Sequence, residues 1–126
     1  MKTTFIFIDD EPICNLISKK ILTSEYPDSQ IFIFQSGTDA IDYFESNAEQ
    51  LKKEKILINL DINMPEMNGF EFLVEFEQRF AKAFDADVFI LSSSQDPNDK
   101  AQAGQFEIVK NFYSKPFQVS YVEGYV

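Results

Sequence analysis

Residues 56–69 read ILINLDINMPEMNG, an apolar run that stops at Asp61 and passes into a turn. A second apolar run, Phe5–Ile8, stops in the same way at Asp9 and Asp10. A carboxylate at the end of a buried strand contributes nothing to packing. Burying it costs several kcal/mol unless a cation or hydrogen-bond donors compensate. Two such strand ends in one chain therefore indicate a shared acidic site.

The apolar runs predict the fold. Four of them are continuous rather than alternating, which is typical of strands covered on both faces of a parallel sheet, and a fifth is weaker. The intervals after the first three runs are each long enough for a crossover helix. The order β-α-β-α-β-α-β-α-β predicts a doubly wound α/β domain. The five runs are Phe5–Ile8, Ile31–Phe34, Ile56–Leu60, Val88–Leu91 and Ile108–Tyr113.

The intervals carry helix signals of unequal strength. Pro12 marks the start of the first helix, and the apolar residues Ile13, Leu16, Ile17 and Ile21 follow at helical spacing. Residues 52–55 read as a solvated connector. Residues 96–105 hold few large apolar side chains, and we expect the helix there to be the least stable element.

Composition limits the classes of function. At 126 residues the chain predicts one domain, residues 1–126. Its 21 acidic against 11 basic residues give a net charge of −10, which opposes nucleic-acid binding and favours metal ions or basic protein surfaces. The alternative is that the charge serves only solubility. The chain has no histidine, so it cannot itself carry a phosphohistidine.

The remaining composition concerns location. Cys14 is the single cysteine, which excludes an internal disulfide and fits a reducing compartment. No apolar run approaches the length of a membrane span. We therefore expect a cytoplasmic protein that does not bind a membrane.

Chemically useful residues follow the strands in order. Because the carboxyl ends of parallel strands share one edge, Asp9, Asp10 and Asp61 should meet if the strand order is 2-1-3-4-5. Three carboxylates suit Mg²⁺, with Mn²⁺ as an alternative. One of them could attack phosphorus as a nucleophile, while Lys115 neutralises charge and a serine among residues 92–94 donates a hydrogen bond. Taken singly, each could instead be a helix cap, a turn or a polar loop.

Together these residues resemble the receiver domain of two-component response regulators. The resemblance rests on Asp9-Asp10-Glu11, the segment 61–69, the serine after the fourth strand and Lys115-Pro116-Phe117. It implies a flavodoxin-like five-stranded parallel sheet of order 2-1-3-4-5. It also implies phosphotransfer from a histidine kinase or phosphotransfer protein, and output through contact with a downstream protein target.

The resemblance also implies roles for individual residues. Asp61 corresponds to the phosphoacceptor and Lys115 to its phosphoryl partner, with a cis Lys115-Pro116 bond. Asp9, Asp10, Asp61 and the backbone carbonyl of Asn63 correspond to the Mg²⁺ site. Ser92 and Phe112 take the switch positions, although Tyr113 beside Phe112 competes for the second of them. The side chains of Asn63 and Ser94 occupy positions that tune the lifetime of the aspartyl phosphate.

The chain departs from the family pattern at its end. Ten residues follow Pro116, so we expect a short or stunted last helix. Tyr121, Val122 and Tyr125 would either expose an apolar surface suited to a homodimer or pack on the sheet, and we favour packing.

Two other functions use the same residues. A small Mg²⁺-dependent phosphatase with an aspartyl nucleophile would also need a second acidic residue and a cap, for which the chain has no spare length. A receiver-like scaffold without phosphorylation would not need the acidic set. The leading interpretation is a phosphorylation switch, which is not an enzyme beyond its own phosphotransfer and autodephosphorylation.

Overall fold

The computed structural model describes residues 2–126, so Met1, where the predicted domain begins, lies outside the described residues. The strands are β1 (Lys2–Ile8), β2 (Gln30–Phe34), β3 (Glu54–Leu60), β4 (Asp85–Ser92) and β5 (Val109–Ser114). The helices are α1 (Pro12–Glu25), α2 (Gly37–Ser46), α3 (Ala48–Leu51), α4 (Gly69–Arg79) and α5 (Pro97–Ala103). Two 3-10 turns, Val119–Tyr121 and Glu123–Tyr125, complete the order of elements.

The strands form one parallel sheet of order β2-β1-β3-β4-β5, which confirms the predicted flavodoxin-like topology. In its register, Ile6 of β1 lies opposite Phe32 of β2 and Ile58 of β3. The order reverses between β1 and β3, so the ends of these two strands lie side by side. That reversal opens the crevice in which doubly wound sheets bind their ligands.

Alternate residues of each strand face opposite layers. Ile6, Ile58 and Ile90 belong to a core with apolar residues of α2, α3, α4 and α5, which we call the front core. Phe5 and Phe89 belong to a second core, the back core, which is closed by α1 and the C-terminal turns. Both faces of the sheet are thus covered, which is why the central residues of β1, β3 and β4 are mostly apolar.

Helix α1 begins at Pro12 as predicted, but its buried face is not the apolar one. The residues turned inward are Asn15, Ser18 and Leu22. Most of the predicted apolar stripe points outward, with Ile13 71% and Leu16 52% exposed, whereas Ile21 is partly buried against the back core. The physical reason is at the start of the helix, where the Asn15 amide donates a 2.8 Å hydrogen bond to the Asp9 carbonyl and so sets the rotation of the helix.

The predicted connector at residues 52–55 is wrong in its second half. Strand β3 already begins at Glu54, whose side chain is 1% exposed. Its carboxylate accepts hydrogen bonds from the Thr4 hydroxyl and from the Gln50 amide, the latter at 2.7 Å. One donor comes from β1, 50 residues away in the sequence, and the other is Gln50 of α3, so the charged residue is buried because the fold supplies both polar partners.

The end of the chain is short, as expected. It forms 3-10 turns instead of a full helix, yet Val122 is fully buried in the back core. Tyr121 stacks on Tyr113 with ring centroids 3.9 Å apart, and Tyr125 meets Phe89 edge-on at 4.8 Å. These residues therefore pack on the sheet, which is the alternative that we favoured. Within residues 2–126, no helix is both long and apolar enough to cross a membrane.

Candidate functional site

Backbone hydrogen bonds carry the parallel pairing one residue beyond the strands. The Asp9 amide donates to the last carbonyl of β2 at 3.1 Å, and the Asp61 amide donates to the last carbonyl of β1 at 2.9 Å. The Lys115 amide donates to the last carbonyl of β4 at 3.0 Å. Three residues from distant parts of the sequence are thereby held at one edge of the sheet.

The carboxylates of Asp9, Asp10 and Asp61 converge at this edge. One oxygen from each lies within 4.8 Å of the others. Asp9 is 6% and Asp61 is 4% exposed, whereas Asp10 is half-buried. Three anions this close repel one another. Carboxylate oxygens this close to one another fit a hard divalent cation such as Mg²⁺.

Lys115 supplies a positive charge to the same cluster. Its Nζ lies 2.7 Å from Asp9 Oδ2 and 3.5 Å from both Asp61 Oδ2 and Glu11 Oε1. Burial disfavours the charged ammonium, but the hydrogen bond to Asp9 and the charge of Asp61 outweigh it and raise the pKa of Lys115. The lysine therefore stays protonated whenever the aspartates are ionised.

Asp61 is held in a form that resists ionisation. Desolvation by burial, followed by repulsion from Asp9, raises the pKa of Asp61 to about 6. Lys115 and the Asn63 amide, which donates to Asp61 Oδ1 at 3.4 Å, act in the opposite direction. A carboxylate with a raised pKa is more basic and, once ionised, a stronger nucleophile, which suits attack on phosphorus.

The loop from Asp61 to α4 is shaped by a glycine. The Gly69 amide donates to the Ile62 carbonyl at 3.0 Å. A Cβ at Gly69 would lie 2.7 Å from the Asp61 carbonyl oxygen and from Ile62 Cα, so only glycine fits there. Asn68 and Glu71 form a reciprocal capping box that starts α4 at this point. The peptide bond between Lys115 and Pro116 is cis.

The predicted switch residues lie on the neighbouring loop. Ser92 is fully buried, and its hydroxyl accepts a 3.0 Å hydrogen bond from the Ser94 amide. The Ser94 hydroxyl donates to Asp99 at 2.6 Å, which ties the loop to α5. Phe112 packs against the front core, whereas Tyr113 belongs to the back core. The side chain of Phe112, and not that of Tyr113, therefore lies on the face of the sheet that α4 and α5 cover.

Two further residues lie near the acidic cluster: Glu11, which the sequence already placed in the acidic stretch after β1 but without a role, and Asn59, which was not predicted. Glu11 reaches Lys115, and its signal was its position directly after Asp9 and Asp10. Asn59 lies two residues before Asp61 on the same face of β3 and is 3% exposed. Its signal in the sequence was a polar amide within the apolar run Ile56–Leu60.

Comparison with known proteins gives the same answer as the geometry. A family model described as the response regulator receiver domain matches residues 5–124. The chain belongs to the response regulator receiver domain family. Receiver domains are phosphoacceptor signalling modules, and the cluster of Asp9, Asp10 and Asp61 fits their phosphorylation site. A receiver domain of this type is generally a signalling switch rather than a classical enzyme.

Individual relatives of this receiver domain cover almost its whole length. The chemotaxis protein CheY of Bacillus subtilis (strain 168) is 28% identical over 126 residues, covering 97% of this chain and 92% of that protein. A two-component response regulator from Cytophaga hutchinsonii is 29% identical, with a TM-score of 0.85 and coverage of 98% and 94%. A response regulator receiver protein from Dyadobacter fermentans DSM 18053 is 27% identical, with a TM-score of 0.82 and coverage of 95% and 91%.

Proposed function

We propose that residues 1–126 act as one receiver domain in which Asp61 accepts a phosphoryl group from a phosphohistidine of a partner kinase or phosphotransfer protein. The observation that carries this proposal is the environment of the Asp61 carboxylate. It is buried and lies within 4.8 Å of oxygens of Asp9 and Asp10, with Lys115 Nζ at 3.5 Å. That set combines a nucleophile, a metal site and a cation for the transferred group.

The residues present fit Mg²⁺, with Mn²⁺ as an alternative. Asp9, Asp10 and Asp61 would hold it, together with the backbone carbonyl of Asn63. Mg²⁺ prefers carboxylate, carbonyl and water oxygens, and this donor set contains no nitrogen or sulfur ligand. When bound, the ion neutralises charge on the phosphoryl oxygens during transfer.

The transfer follows from the positions of the side chains. One carboxylate oxygen of Asp61 attacks phosphorus, forming a P–O bond. The P–N bond to the donor imidazole breaks, and its electron pair stays on the ring nitrogen. The ammonium group of Lys115 turns from the aspartate oxygens to the incoming phosphoryl oxygens. There it stabilises the negative charge of the transition state. The domain catalyses this step for itself, and the later hydrolysis as well.

The signal then passes through the loop after β4. We expect the Ser92 hydroxyl to turn toward the phosphoryl group and exchange its hydrogen bond with the Ser94 amide. Because Ser94 also bonds Asp99, that exchange perturbs the start of α5. Phe112, which packs beside α5 on the front core, repacks with it. A small charge change thus alters the surface that a downstream protein target contacts. Asn63 and Ser94 tune how long the phosphoryl group survives.

The donor protein reaches Asp61 across α1. The exposed apolar face of this helix, which we call the α1 patch, consists of Ile13, Leu16 and Ile17, and it starts three residues after the acidic cluster ends at Asp10. A cleft of about 230 Å³ lies between Ile17 and Pro116. An apolar patch beside a buried acceptor suits a protein partner better than a small donor.

Acetyl phosphate and intact mass spectrometry test the proposal. With Mg²⁺, the wild-type protein should gain one phosphoryl group, since acetate leaves with the electron pair of the broken P–O bond. Asp61→Ala should gain none, and a chelator should abolish labelling of the wild type. The matched control is Asp42→Ala, an exposed aspartate of α2 that should label normally. An equal adduct on Asp61→Ala and wild type would refute the assignment.

A further inference from the structure

The amide of Asn59 lies unpaired beneath the phosphoacceptor. The residue is 3% exposed, and neither its Nδ2 nor its Oδ1 has a hydrogen-bond partner among residues 2–126. A primary amide can donate twice and accept twice. Burying an amide without hydrogen-bond partners costs free energy of folding. Buried amides are therefore normally hydrogen-bonded to protein groups or to ordered water.

The surroundings of Asn59 leave room for one small polar molecule. Asn59 lies across from Phe7 on β1 and Phe89 on β4, and these apolar neighbours offer it nothing to bond. A cavity of about 10 Å³ adjoins it, which is close to the space that one water molecule needs. The polar residues that line this cavity are Asp9, Asn15, Ser18, Asn59 and Asp61.

The cavity shares part of its lining with the surface cleft beside α1. Asp9, Ser18 and Leu91 line both the small cavity and the cleft of about 230 Å³ that opens between α1 and the loop at Lys115. The rotation of α1 also favours a bound water in this cavity, because the inward face of the helix carries Asn15 and Ser18 instead of the aliphatic residues of the α1 patch.

We propose that this cavity binds one ordered water molecule, which Asn59 positions to donate a hydrogen bond to the Asp61 carboxylate from inside the protein. Asn59 and the Ser18 hydroxyl hold the water, and Asp61, one pleat further along the same face of β3, receives its second O–H. Asn59 is thus a positioning residue that acts on the acceptor through water. The effect on phosphorylation rests on the proposed function of Asp61, whereas the water site does not.

The consequence for the reaction follows from where charge develops. During hydrolysis a solvent water attacks phosphorus, the P–O bond to Asp61 breaks, and its electron pair returns to the carboxylate while the proton goes to phosphate. An internal O–H donor stabilises the carboxylate that leaves more than it stabilises the neutral acyl oxygen. Removing the donor should therefore slow hydrolysis and lengthen the life of the aspartyl phosphate.

A pair of variants of equal shape separates the water from the packing. Thr and Val are both β-branched and suit a strand, but only Thr keeps a hydroxyl to hold the water. Asn59→Val should lengthen the aspartyl-phosphate half-life about fivefold, the effect of one hydrogen bond. Asn59→Thr should stay within about twofold of the wild type. Ile58→Leu, on the opposite face of β3, serves as the control for a change within the strand.

Crystal structures of the same proteins test the site without any phosphorylation. Wild type and Asn59→Thr should show one ordered water against residue 59, and Asn59→Val should show none. A wild-type crystal without that water would overturn the site. Equal half-lives for the Val and Thr variants would overturn its influence on Asp61. If the wild type accepted no phosphoryl group, the proposed function would fail, while the crystals would still decide the water site.

Discussion

At the scale of single residues, Asp61 shows a conflict between folding and function. Its raised pKa, about 6 against an ordinary 3.8, means that the folded protein binds a proton that the unfolded chain has already released at intermediate pH. Stability is therefore lost as the pH rises from about 4 through about 6. The ionised carboxylate needed for attack on phosphorus is present only after that loss.

Replacing the charge should recover the lost stability. In Mg²⁺-free buffer at pH 8, Asp61→Asn should raise the free energy of unfolding by about 2–3 kcal/mol, the equivalent of the raised pKa. The difference in the free energy of unfolding between Asp61→Asn and the wild type should shrink as the pH falls through about 6 towards about 4. Urea unfolding at a series of pH values measures it. Exposed Asp42→Asn should produce no such gap, and a gap that widened in acid would contradict the argument.

Residues of the site differ in how visible they are in the sequence. Asp9, Asp10, Asp61 and Lys115 could be placed because each follows an apolar run and parallel strands end at one edge. Outside the site, the burial of Glu54 could not be foreseen, because the Thr4 hydroxyl that donates to it lies 50 residues away in the sequence. A single polar residue in or beside a strand gives no information about such partners until the pairing of strands is known.

At the scale of elements, the start of α4 determines the path of the acceptor loop. Gly69 is the first residue of α4, where alanine would ordinarily favour the helix. A Cβ added at this position would lie 2.7 Å from the Asp61 carbonyl oxygen. The energetic cost of that close approach opposes the gain in helix propensity. The clash is with backbone, so it can be relieved only by moving the loop that carries Asp61.

Gly69→Ala should therefore destabilise the protein by about 1–3 kcal/mol in spite of the better helix propensity. It should also slow labelling by acetyl phosphate, since the Asp61 backbone must shift. Gly124→Ala is the matched control, because a Cβ there meets nothing within 4 Å, and its stability should change by no more than about 0.5 kcal/mol. Equal urea midpoints for the two variants would show that the loop absorbs the methyl group without strain.

Helix α1 shows where pattern reasoning fails at this scale. The spacing of Ile13, Leu16 and Ile17 correctly predicted a helix, but it did not predict which face is buried. Periodicity reports that a helix has an apolar side, and the partner of that side can be another protein as well as the core. The contact that sets the rotation, from Asn15 to the Asp9 carbonyl, depends on the turn after β1 and is not a periodic feature.

At the scale of the whole molecule, the two faces of the sheet are closed in different ways. The front core is covered by four helices, whereas the back core has α1 and two short 3-10 turns. The doubly wound α/β class followed from the apolar runs, and the strand order 2-1-3-4-5 followed from the resemblance to receiver domains. The manner in which the last ten residues close the back core did not, because two 3-10 turns of 3 residues each are too short to show a periodicity in the sequence.

The closing contact of the back core can be tested at one side chain. Val122 is fully buried against that core, so Val122→Ala removes apolar contact and leaves a cavity, and we expect a loss of about 2 kcal/mol in the free energy of unfolding. Val126→Ala is the same chemical change at a residue that is 49% exposed, and it should cost less than about 0.5 kcal/mol. Urea unfolding of both variants measures these two losses of stability. A Val122→Ala protein as stable as Val126→Ala would mean that the C-terminal turns are separable from the core, and that α1 alone covers the back of the sheet.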